Sequence, residues 1–180
     1  TDAIGRGVGS LAAYEDFLRK QPMPAEILPA VSVGGSLLVL GIGYGLLLVL
    51  SIGQGVGPFL SWAWLPLLVL AQVVLTFGLT LVLSMAHFLW RDVGSTVGFA
   101  LQLGFYLTPI VYPLAQVPER FHIWFLLNPV ACLVLAVQSV VLHMPVPQGT
   151  AWALVVWVVL LGGGGWWFFR SMKPVLGEAL

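Results

Sequence analysis

Seven acidic and seven basic side chains, three histidines and one cysteine are all that this 180-residue chain offers for acid–base, nucleophilic or metal chemistry. His87, His122 and His143 are far apart, and none stands in a paired ligand motif such as H-E-x-x-H. Cys132 is alone, which excludes an internal disulfide and a thiolate metal cluster. The strings Gly5-Arg6-Gly7-Val8-Gly9 and Gly41-Ile42-Gly43-Tyr44-Gly45 lack G-x-G-x-x-G spacing and the Lys-Ser/Thr of a phosphate loop. No enzyme constellation is present, and no cofactor or metal is expected. Net charge is zero, so no basic field argues for nucleic acid. His87, one turn before the doublet Arg91-Asp92, reads as a membrane-border residue rather than a ligand or proton relay.

The placement of the charges is more informative than their chemistry. None occurs between Glu26 and Arg91, between Asp92 and Glu119, or between Arg120 and Arg170. Only 8% of residues are charged, against roughly 25% in a soluble domain. A soluble surface cannot be built from such stretches, whereas a lipid-facing one requires no charge. The expected fold is therefore all-α and integral to the membrane. It has four transmembrane helices, a re-entrant helical hairpin and an N-terminal amphipathic cytoplasmic helix.

About 20 apolar residues cross the hydrocarbon core, which places spans at about 27–52, 59–90, 93–112 and 150–169. Residues 109–142 read as a re-entrant region, because Pro109, Pro113, Pro118 and Pro129 forbid a straight span. Residues 1–26 read as a cytoplasmic segment, 27–171 as the transmembrane domain and 172–180 as a cytoplasmic tail. With the N-terminus inside, Arg6, Arg19, Lys20, Arg91, Arg170 and Lys173 fall on the inner face and Arg120 outside, as the positive-inside rule requires. Counting Asn128–Leu142 as a full span would carry Arg170 and Lys173 outside. Trp62, Trp64, Trp90, Trp124, Trp152, Trp166 and Trp167 fall near span ends as an aromatic belt.

Leu11, Tyr14, Phe17 and Leu18 recur at helical spacing among Glu15, Asp16, Arg19 and Lys20. Pro22 and Pro24 end that amphipathic helix, whose apolar face is expected on the lipid interface or a cytosolic partner. Gly41 with Gly45, and Gly94 with Gly98, are expected to let helices approach closely. Gly162 to Gly165 read as tight packing or a mild kink in the last span rather than a hinge. Alone, Arg91-Asp92 reads as a topological stop.

The order of several blocks adds a resemblance. Phe88-Leu89-Trp90-Arg91-Asp92, Gln102, Thr108-Pro109-Ile110-Val111-Tyr112-Pro113, Val117-Pro118-Glu119 and Leu127-Asn128-Pro129 follow one another. Upstream stands Leu18-Arg19-Lys20-Gln21-Pro22-Met23-Pro24-Ala25-Glu26-Ile27-Leu28-Pro29. Over roughly residues 5 to 175 the chain resembles the type-2 ABC export permeases, most closely the branch for O-antigen, capsule and teichoic-acid polysaccharides. Pro22 and Met23 depart from that family's aliphatic-aromatic pair. Family members begin with an interface helix and two further spans, so about a third of a typical permease lies outside these residues.

The resemblance implies a multi-pass permease of a bacterial cytoplasmic (inner) membrane, working as a homodimer with a separate cytosolic ATP-binding subunit on a lipid-linked glycan. Leu11, Tyr14, Phe17, Leu18 and Arg19 would couple to the ATPase. Phe105, Tyr106 and Tyr112 would line the path, since sugar rings stack on aromatics. Thr108, Pro109, Pro113, Asn128 and Pro129 would form the external gate, and Arg91 with Asp92 the cytoplasmic span-end motif. The alternative is a permease of the same type for a drug or lipid. A secondary transporter is disfavoured, since apart from His87 at an edge the spans hold no ionisable residue of the kind ion coupling needs.

Overall fold

A computed structural model gives the architecture, describing residues 2–15, 24–56, 60–110, 112 and 114–179. Phe17, Leu18, Arg19 and Pro113 lie outside the described residues. Among those described there are helices and no strand. In chain order these are α1 (Asp2–Val8), α2 (Ser10–Ala13), α3 (Ile27–Gly53), α4 (Leu65–Leu89, after a 3₁₀ turn Leu60–Trp64) and α5 (Val93–Leu107). After two short 3₁₀ turns come α6 (His122–Leu126), α7 (Pro129–Leu142), α8 (Thr150–Trp157), a π-helical turn Val158–Gly163, and α9 (Gly164–Ala179).

Three continuous helices are long and apolar enough to cross a membrane: Ile27–Gly53, Leu60–Leu89 and Thr150–Gly177. The pair Glu119–Leu126 and Pro129–Leu142, bent by 111°, makes a fourth candidate if counted as one span. This is a multi-pass, all-helical membrane protein. The expected span 93–112 is shorter than its apolar run. The helix stops at Leu107 after 15 residues, roughly 22 Å at 1.5 Å each. Its end is set by Pro109, which disfavours helix at the preceding residue, and Thr108 is extended at φ −98°, ψ 137°. Conversely, the last helix runs past Phe169 to Ala179 with Pro174 inside it.

α4 is the central element. Leu65, Leu68 and Leu75 pack with Cys132, Leu133 and Val141 of α7 and Leu154 of α8. In its C-terminal half, the backbones of α4 and the last span come into direct contact. A β-carbon on Gly78 would strike the Leu161 carbonyl, and one on Gly165 would lie 2.5 Å from the Gly78 carbonyl oxygen. A β-carbon on Gly162 would strike Val74. The expected tight packing is thus real at Gly162 and Gly165, while Gly163 and Gly164 have nothing within 4 Å. The π turn fits this, since one extra residue per turn rotates both glycines onto α4. Gly41, Gly45 and Gly98 meet nothing within 4 Å, so no close approach occurs there within this chain.

α1 packs against α4 and α5. Ile4 and Val8 pack with Val97 of α5, beside Leu79 and Leu83 of α4. Arg6 pairs with Asp2 at 2.6 Å and donates to Ser36 Oγ at 2.9 Å, about 14 Å along α3. Residues 2–8 therefore lie along the long helices.

The two ends of the layer are marked by long-range bonds. Lys173 Nζ donates to Glu26 Oε1 at 2.7 Å, bringing the start of α3 to the end of the last span. Burial pushes the Glu26 carboxyl up, but the Lys173 bond and charge, with Arg170 behind them, hold it net below its ordinary value. At the opposite end, Ser61 Oγ donates to the Val140 carbonyl at 2.9 Å.

Candidate translocation path and gate

The residues of the Thr-Pro and Asn-Pro blocks, 20 positions apart, meet in one elbow. Asn128 is the N-cap of α7: its Oδ1 accepts from Val130 N–H at 3.0 Å and Ala131 N–H at 3.3 Å. Pro129 follows at the first helical position, where its missing N–H costs no helical bond. The other half of the amide, Asn128 Nδ2, donates to Thr108 Oγ1 at 3.4 Å. Thr108 is fully buried and donates in turn to the Gly104 carbonyl at 2.7 Å. Pro109 is also buried, and its carbonyl accepts from Gln138 Nε2 at 3.1 Å. Trp157 Nε1 donates to the Leu126 carbonyl at 3.0 Å, tying the elbow to the last span. Backbone broken at this depth must find such partners, because lipid supplies none.

The aromatic set divides. Phe105 and Tyr106 sit edge to face, ring centroids 5.6 Å apart, on the exposed end of α5. Tyr112 packs elsewhere, half-buried with Leu114 and Val117 on the cluster formed by Phe125, Ala131 and Leu135.

At the other end of α5, Arg91 and Asp92 form an exposed turn between α4 and α5. The Asp92 carbonyl accepts from Ser95 Oγ at 2.9 Å and Thr96 Oγ1 at 3.2 Å. His87 Nδ1 accepts from the Gly94 N–H at 3.1 Å, so the imidazole supplies the cap that Asp92 does not. A β-carbon on Gly94 would lie 2.8 Å from the His87 ring, so any larger residue there must push the imidazole aside. His87→Ala should leave that amide unpaired and cost about 1 kcal/mol. Amide exchange at Gly94 should then quicken about fivefold; an unchanged rate would remove the capping role.

Of the coupling set, Leu11 is fully buried among Met85, Phe169 and Leu176, so it is not a surface contact. At Leu11 the covering surface is the chain's own last helix. Tyr14 is exposed.

A groove of about 730 Å³ opens between α3 and α7 over α4, with Asp2 and Ala3 at one end. It is mainly apolar but holds the pair Tyr44 Oη to Gln72 Oε1, at 3.0 Å, and Gln138. Sequence reasoning missed these residues; the available signal was a glutamine within an apolar run. Among the described residues no group of three or more acidic, His or Cys side chains could hold a metal.

No protein-family model matches the chain. It is, however, 30% identical over 128 residues to an O-antigen export system permease protein RfbA of Klebsiella pneumoniae, covering 71% of this chain and 49% of that protein. This chain is a homologue of O-antigen export permeases. The RfbA permease of Myxococcus xanthus is 27% identical over 181 residues, 99% of this chain and 70% of that relative. The chain spans about half the length of the Klebsiella permeases it matches.

Proposed function

We propose that this chain is the membrane-spanning permease part of an ABC exporter that moves a lipid-linked polysaccharide or glycolipid across the bacterial cytoplasmic membrane. ATP hydrolysis on a separate cytosolic subunit drives the movement, and two permease copies form the path. The observation that carries this reading is the Thr108–Asn128 bond. The two sequence blocks that the resemblance assigns to an external gate are distant in the chain, yet they close on one another at the head of α7.

Orientation supports the same reading. Lys173 beside Glu26 and Ser61 beside Val140 mark opposite ends of the helical layer. Pro129 and Val130 lie beside Gln72, Thr76 and Leu161, near the middle of α4 and the last span. On this reading α7 starts at mid-depth and returns to the end where α4 begins, and α6 with α7 forms a re-entrant hairpin dipping in from outside. Trp64, Trp124 and Trp152 are exposed toward that end and Trp90 and Trp167 toward the other, as interfacial anchors are. Phe105 and Tyr106 offer exposed faces on which sugar rings can stack, and Tyr14 remains for coupling with Phe17, Leu18 and Arg19.

Affinity-purified permease is expected to co-isolate an ATP-binding subunit; repeated isolation without one contradicts the reading. A cysteine placed at Glu119 should react with an impermeant maleimide from outside, and one at exposed Ser95 only from inside. Labelling of the Ser95 position from outside would overturn the orientation.

A further inference from the structure

α2 and the residues just before α3 are both held by one element, the second half of α9. In α2, Leu11 is fully buried against Phe169 and Leu176. Just before α3, Ala25 is buried in the same cluster, and Glu26 Oε1 accepts from Lys173 Nζ at 2.7 Å. Leu81 and Met85 of α4 complete the cluster. Glu26 is mostly buried, and its second oxygen, Oε2, has no hydrogen-bond partner, so its charge depends on the Lys173 contact. α9 continues through the π turn into α8, whose Trp157 holds the Leu126 carbonyl at the elbow of the hairpin.

We infer that Phe169, Lys173 and Leu176 form a strut that holds α2 to the start of α3 and joins both mechanically to the gate, with Lys173–Glu26 as its polar fastening. This rests on the reading of the chain as an ATPase-driven permease. Helices transmit displacement as rigid rods when both ends are packed, and here one rod is fastened at α2 with the start of α3 and at the elbow. Lys173 and the final helix are thus positioning residues for transport, although neither touches the path.

Two readouts test it in the protein within inside-out vesicles. Ala25→Cys substitutes one small buried side chain for another, and native Cys132 is fully buried, so background labelling is low. The cysteine at position 25 should be protected from an impermeant maleimide. Lys173→Glu should raise its labelling rate about tenfold, since loss of about one pairing's worth of stability opens the site locally. The exchange Glu26→Lys with Lys173→Glu should bring protection back, and Lys173→Arg should retain it. Export should follow the same order, with ATP hydrolysis persisting in Lys173→Glu after export is lost. Unchanged labelling in Lys173→Glu, or no recovery in the exchanged pair, overturns the strut. If labelling responds as expected while no variant, including the unaltered protein, couples ATP to export, the strut stands and the permease reading fails.

Discussion

Gly78→Ala is expected to prevent accumulation of folded protein, although it adds a single methyl group. The β-carbon would strike the Leu161 carbonyl and lie 2.9 Å from the Gly162 Cα, so no flexible side chain can yield. The two backbones must separate instead. That movement would also disturb Gly162 against Val74 and Gly165 against the Gly78 carbonyl. Between membrane helices, close backbone packing is itself a principal source of association, because lipid is as apolar as the side chains. Overpacking costs about 1–3 kcal/mol where neighbours can adjust, and more where they cannot. Gly163→Ala is the control: its position is open, and Ala is favoured over Gly in a helix by about 1 kcal/mol. Thermal unfolding in detergent should show the first variant far below the second. Equal unfolding temperatures would mean that the contact between α4 and the last span is looser than described.

Asn128→Ala is expected to leave insertion intact and to abolish controlled export. It removes two cap bonds to Val130 and Ala131 and the donor to Thr108 in one step. Loss of an N-cap costs about 0.5–2 kcal/mol, and the cost is greatest where water cannot replace it. Asn128→Asp keeps the cap acceptors but loses the donor. It would aim a carboxylate at Thr108 Oγ1, whose proton is committed to the Gly104 carbonyl. Thr108→Val keeps the shape and removes the acceptor. If the elbow works as one unit, the Asn128→Ala and Thr108→Val effects on export should fall short of additivity by about 0.5–3 kcal/mol in a double-mutant cycle. Additive effects would mean that the two blocks act separately.

Some of this was legible in the residues. The charge-free stretches locate α3, the Leu60–Leu89 helix and the last span to within a residue or two at most ends, because hydropathy alone governs where a helix may sit in lipid. The break at Thr108 is written in Pro109, but the apolar run continuing to Tyr112 concealed that α5 is only 15 residues long. Gly78 carried no signal, since a lone glycine in an apolar helix is silent until its neighbour is known. The capping of Gly94 by His87 required the turn at Arg91-Asp92 to be folded. Leu11 shows the opposite limit: helical periodicity identifies an apolar face but not what covers it. The covering residues, Phe169 and Leu176, lie more than 150 positions away. Tyr44, Gln72 and Gln138 likewise meet partners elsewhere in the fold that no local pattern names.

The most direct test of the account is flux. Inside-out vesicles containing the permease and its ATP-binding subunit, supplied with lipid-linked glycan on the outer, formerly cytoplasmic face, should move the glycan to the lumen only when ATP is hydrolysed. The movement should require both proteins and be lost in Asn128→Ala. Transfer that proceeds equally without ATP, or without this chain, would contradict the account.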